Sequence, residues 1–85
     1  MIMERKEIKE KIDSIIVDTL GITQDSVREE ADLREDFGCD SLDCLDIIMS
    51  TEKEFSIAIA DDDAVNCNTV GDVYDLVEKV LNGNA

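Results

Sequence analysis

Asp36-Phe37-Gly38-Cys39-Asp40-Ser41-Leu42-Asp43-Cys44-Leu45-Asp46 reads as a turn followed by the start of a helix. Gly38 permits the turn. Asp40 is a good N-cap, and Asp43 stands three residues on, giving a capping box with Asp in the place of Glu. Ser41 then falls in the first helical turn, where backbone N–H groups have no carbonyl to pair with. Beyond it, Leu42, Leu45, Ile48, Met49 and Phe55 follow at helical spacing, which predicts a helix with that stripe as its apolar face.

Toward the N-terminus, Ile8, Ile12, Ile15, Ile16 and Leu20 share one helical face, with Lys and Glu between them, and Gly21 stops the run. Residues 22–37 form a long connection with a short turn expected at Asp25–Glu29. A connection of that length in a small domain has to pack something, and Ile22, Val27, Leu33 and Phe37 are its candidates. Toward the C-terminus, Asp61-Asp62-Asp63 opens a short third helix, where acids suit the positive end of the dipole. Asn68 or Thr69 caps a last helix that turns Val70, Val73, Tyr74, Val77 and Leu81 inward, with Gly83 just past its end. Three longer helices, one short one and no strand signal predict an all-α four-helix bundle.

The chain has 85 residues, so one domain over 1–85 is expected, with no room for a second core. An apolar fraction of 44% with clear periodicity supports a folded core despite a net charge of −14. The acidity is concentrated: residues 35–63 hold ten acids and only Lys53 as a base. Such a segment repels nucleic acid and anionic lipid and steers basic protein partners. A merely solubilising surface is the bland alternative. Three cysteines, Cys39, Cys44 and Cys67, cannot close a disulfide set, and reduced thiols in the cytoplasm are the simpler account. No apolar stretch follows Arg5, Lys6, Lys9 and Lys11 to make a signal peptide, and no run reaches membrane-spanning length.

Several chemistries are excluded. The chain has no histidine, so Ser-His-Asp or Cys-His catalysis in cis and a His-dependent metal site are ruled out. The cysteines lack the paired spacing of a zinc site, and Cys39 and Cys44 read as small core or half-buried residues. Asp36, Asp40, Asp43 and Asp46 do not match a calcium-binding loop, which needs acids at alternate positions and a central glycine. At most they hold a divalent ion weakly at the surface, and no resident metal is expected. Ser41 at a helix N-terminus is a natural host for a phosphate, although the neighbouring acids offset part of the gain. On position alone, an unmodified serine in the first turn fits as well.

Gly38-x-Asp40-Ser41-Leu42-Asp43 resembles the phosphopantetheine attachment site of acyl carrier proteins, in particular the discrete carriers of dissociated fatty-acid synthases. The likeness continues through Asp46, Met49 and Glu52-Lys53-Glu54-Phe55 to the acidic Ala60-Asp61-Asp62-Asp63-Ala64 and the Thr69-Val70-Gly71-Asp72 start of the last helix. Leu20-Gly21-Ile22 extends it to the first helix, so it spans nearly the whole chain. The resemblance implies a carrier, not an enzyme. A phosphopantetheinyl transferase would move a 4'-phosphopantetheine arm from coenzyme A to Ser41, and the arm's thiol would hold acyl groups as thioesters. Asp40, Asp43 and Asp46 would meet basic patches on that transferase and on ketosynthases, acyltransferases, reductases and dehydratases. Leu42 and Met49 would add apolar contact, with core packing equally open for Met49. A cytoplasmic monomer follows as the expectation for such a shuttle, and an aliphatic interior would admit an acyl chain between the helices.

Some residues depart from the family pattern. Phe37 replaces a usual Leu, Cys39 a usual Ala or similar residue, and Ala60 a frequent proline; Lys53 interrupts the acidic run and Thr51 occupies an apolar position. A carrier for a polyketide, D-alanyl or peptidyl pathway is therefore the first alternative. An unmodified acidic adaptor or ion-binding helical protein is the second.

Overall fold

The isoleucine spacing of the first segment carries straight into the architecture. In the computed structural model, which describes residues 4–83, Ile8, Ile12 and Ile16 are fully buried along one side of α1 (Arg5–Leu20). Burying each contributes about 1.5–3 kcal/mol relative to exposure. Ile15 and Leu20 flank that stripe and are only partly covered. The helix ends as expected at Gly21, whose backbone is left-handed (φ 67°) and whose N–H donates to Val17 O at 2.9 Å.

The long connection holds a single 3₁₀ turn, Gln24–Ser26, shorter than the turn expected over 25–29. Val27 and Leu33 are buried, Ile22 and Phe37 partly so, and Ala31 joins them in the core. The segment's backbone does a second job. It crosses the start of α4 (Val70–Leu81), where Ala31 O accepts from Val70 N at 3.0 Å and Glu29 O accepts from Gly71 N at 2.8 Å. Leu33 N in turn donates to Asn68 O at 2.9 Å. Helix-start donors that would otherwise be orphaned are thus paired with the loop. The crossing is so close that a Cβ on residue 71 would lie 2.7 Å from Glu29 Cγ, which explains a glycine in the first turn of a helix.

Thr69, not Asn68, caps α4, in a full capping box with Asp72. Val70, Val73, Tyr74 and Val77 are buried as the periodicity predicts, Leu76 joins them, and Leu81 is partly covered. α2 spans Ser41–Phe55 and the short α3 spans Asp61–Val65. α1 packs against both α2 and α4. Among the described residues there are four α-helices and no β-strand, only an isolated bridge between Asp32 and Thr69. The expected all-α fold of three longer helices and one short one is what is observed. The outermost residues of the expected domain, 1–3 and 84–85, lie outside the described residues.

Two polar residues enter the core. Thr51 satisfies its hydroxyl by donating to Ile47 O one turn back at 2.7 Å. Asp13 on α1 is 1% exposed; it accepts a hydrogen bond from Tyr74 Oη on α4 and pairs with Lys9 Nζ at 2.8 Å. A buried carboxylate is tolerated only with such partners. The same contact, after burial, pushes the Tyr74 hydroxyl above its usual range.

Candidate functional site

The start of α2 is built as the sequence reads. Asp40 stands in extended conformation at the N-cap, Asp43 N donates to Asp40 Oδ1 at 2.9 Å, and Asp40 N donates to Asp43 Oδ2 at 3.4 Å. Gly38 takes a left-handed backbone (φ 69°), and Cys39 N donates to Leu33 O at 3.0 Å, which folds the chain back before the helix begins. Ser41 follows as the first helical residue, exposed to solvent. Its N–H and that of Leu42 have no hydrogen-bond partner among the described residues, and neither does its hydroxyl. The residue stands exposed at the positive end of a 15-residue helix.

The remaining residues of the predicted site share this end of α2 and its outer face. Asp40 and Asp46 are exposed, and Asp43 is half-buried inside the capping box. Leu42 is 71% and Met49 56% exposed, which decides the open question for Met49: it is surface, not core. Leu45 is also 52% exposed. The expected apolar stripe of α2 holds at Phe55 and in part at Ile48, but not at Leu45. Its inward face is Ile47, Thr51 and Phe55, with Ile48 and Cys44 half-buried at its border, while Leu42, Leu45 and Met49 point outward. The two sets share Phe55 and the inner one includes a threonine, so periodicity alone does not separate Leu45 from the residues that are buried. Val65 at the end of α3 is 67% exposed and was not anticipated; an apolar residue closing a five-residue helix is its only signal.

None of Asp36, Asp40, Asp43, Asp46, Asp61, Asp62 and Asp63 forms a salt bridge among the described residues. Every ion pair that does form there involves Arg5, Lys9, Lys11 or Arg28. The described residues contain no cluster of three or more acids or cysteines arranged to hold a metal ion. Asp36 is occupied within its own turn, accepting from Asp32 N at 2.7 Å. Shallow grooves run between α1 and α2, one lined by Ile15, Asp18, Thr19, Ser50, Lys53 and Glu54.

Comparison with known proteins bears directly on this arrangement. The profile of the family described as "Phosphopantetheine attachment site" matches residues 10–77. An acyl carrier protein of Thermotoga maritima is 44% identical over 77 residues, covering 91% of this chain and 95% of the relative. One from Porphyromonas gingivalis is 41% identical over 75 residues, covering 88% and 96%. This chain belongs to the acyl carrier protein family. A solved structure of the acyl carrier protein of Enterococcus faecalis superposes with a TM-score of 0.77 at 29% identity, covering 92% of this chain and 99% of that one.

The family's phosphopantetheine group can be tested against the residues present. It needs an accessible hydroxyl and a setting that accepts a phosphodiester. Ser41 offers the first, and the two unpartnered N–H groups at the helix start offer the second. The flanking carboxylates of Asp40 and Asp43 are each engaged by a backbone N–H, which tempers their repulsion of a further anion. The residues fit the group. No helix among the described residues is long and apolar enough to cross a membrane.

Proposed function

We propose that Ser41 carries the phosphopantetheine arm, and that the chain is a single carrier domain shuttling acyl groups between cytoplasmic enzymes of fatty-acid biosynthesis. The observation that carries this reading is the exposed hydroxyl at the first position of a capped helix, inside the segment that matches the attachment-site family. When bound, the arm supplies a terminal thiol that holds an acyl group as a thioester, with an electrophilic carbonyl and an acidic α-carbon. The protein's part is to present it. Asp40 and Asp43 fix the turn that exposes Ser41, and the helix N-terminus steadies the phosphodiester by roughly 0.3–1 kcal/mol.

Partner enzymes perform the chemistry, and α2 is where they dock. Asp40, Asp43 and Asp46 supply negative charge not committed to any lysine or arginine of the described chain. Leu42 and Met49, joined by Leu45, supply an apolar strip beside it. A small apolar strip with a charged border suits brief, fast association with basic patches on a phosphopantetheinyl transferase, ketosynthases, acyltransferases, reductases and dehydratases. Incubation with a phosphopantetheinyl transferase and coenzyme A raises the intact mass by one phosphopantetheinyl unit, and Ser41→Ala abolishes the gain. Modification persisting in that variant, at Ser14, Ser26, Ser50 or Ser56, would overturn the assignment.

A further inference from the structure

Cys39 and Cys44 hold the two positions that clamp the entry to α2. With Asp40 as the N-cap, Cys39 is the residue before it and Cys44 is the fourth helical residue. Apolar residues at those two positions often pack together as a hydrophobic staple, the contact that fixes the angle at which a chain enters a helix. Here both members are thiols. Cys39 is buried in the core cluster, and the half-buried Cys44 packs against that cluster. The backbone between them is pinned by Cys39 N to Leu33 O at 3.0 Å and by Cys44 N to Asp40 O at 3.0 Å. Cys67, the third thiol, lies beyond α3, where its Sγ donates to Asp63 O at 3.6 Å.

We infer that Cys39 and Cys44 form a reversible dithiol–disulfide switch that locks the turn presenting Ser41. The reaction is exchange with a low-molecular-weight disulfide such as oxidised glutathione. The half-exposed Cys44 sulfur attacks, forming a mixed disulfide and releasing one glutathione thiol. The Cys39 sulfur then attacks the Cys44 sulfur and expels the second, so two protein thiols are oxidised as one disulfide is reduced. The closed ring runs from residue 39 to residue 44 and contains Ser41. Its rate follows from its surroundings. Burial, the Cys44 thiol and the carboxylates of Asp43 and Asp40 push the Cys39 thiol up to about 11, so closure is slow at neutral pH and quickens as pH rises.

The consequence for loading rests on the reading of Ser41 above; the chemistry of the pair does not. The test uses the full chain carrying Cys67→Ser, treated with oxidised glutathione and then desalted. The expected product is a monomer lighter by two hydrogens, without a glutathione adduct and with no alkylatable thiol after unfolding. Its melting temperature rises by roughly 5 °C or more over the reduced form and returns on reduction. Cys44→Ser in the same background gives neither change. A stable glutathione adduct, a covalent dimer or an unshifted melting temperature would overturn the inference. Oxidised and reduced forms are then loaded by a phosphopantetheinyl transferase, and the oxidised form is expected to load several-fold more slowly. Equal loading would sink the switch, whereas failure of both forms to load would count against Ser41 and leave the disulfide result standing.

Discussion

Along the seam between α1 and α4, charges meet partners. Arg5 reaches Asp75 at 2.6 Å, Glu78 at 3.1 Å and Glu29 at 3.1 Å, and lies 5.6 Å from the centre of the Tyr74 ring. Beneath it, Asp13 is held by Tyr74 and Lys9. Along the outer face of α2 the same kinds of residue are left open: Asp46 pairs with nothing among the described residues, and Leu42, Leu45 and Met49 face water. The seam serves stability and the open face serves recognition. Exposed ion pairs such as those of Arg5 contribute little singly, so the seam's strength comes from its buried apolar residues and the Asp13–Tyr74 bond.

The sharpest way to break this division is to remove one donor from the seam. Tyr74→Phe leaves the buried Asp13 carboxylate short of a partner and should cost about 2 kcal/mol in urea unfolding. Met49→Ala, a larger truncation on the open face, should stay within about 0.5 kcal/mol. Equal losses from the two substitutions would mean that α2's outer face is structural after all.

A smaller effect is a pH dependence at the capping box of α4. Backbone N–H groups of Asn68 and Thr69 hold the Asp72 carboxylate below its ordinary value of 3.8. A depressed folded-state value contributes stability that is complete above that ordinary value and is lost as pH falls through the lowered one. Asp72→Asn should therefore lower the urea midpoint at pH 7, and its deficit against the parent should shrink as the solution is acidified below about 4. A deficit independent of pH would show that the side chain's shape, not its charge, matters. Smaller again is the far end of α2, where Ser56 adopts a left-handed backbone (φ 56°). Ser56→Gly relieves that cost and should add about 0.5–1 kcal/mol without touching the docking face.

How much of this was legible follows from how local each signal is. The α2 capping box, the Gly21 stop and the α4 stripe depend on neighbours within a turn, and all three stand where the residues put them. The face that α2 buries is not local: whether Ile47 and Thr51 or Leu45 and Met49 accompany Phe55 inward depends on how the helix meets the rest of the fold. Asp13 was invisible for the same reason. In sequence it is one acid beside Ile12, and its partner Tyr74 lies 61 positions away on another helix. In sequence Leu45 falls on the apolar stripe and Val65 stays unassigned, because an exposed leucine or valine looks like a core residue until the fold shows otherwise. The density of acids between 35 and 63 could be read at once, but their lack of cationic partners could not.

The central claim, that α2 keeps its charges for partners, is tested by association kinetics with a phosphopantetheinyl transferase over a range of salt. Asp40→Asn and Asp46→Asn together remove two charges, and asparagine still caps the helix. The matched control is Glu10→Gln with Asp18→Asn, two exposed acids of α1; Asp13 would be unsuitable because it is buried. Both variants carry the same net charge, and exposed charges are screened beyond about 10 Å at 0.1 M salt. The α2 variant should associate more slowly at low salt and lose rate less steeply as salt is added, while the α1 variant keeps the parent's rate. Equal slowing in the two would contradict the account, because net charge rather than the open face of α2 would then be what partners sense.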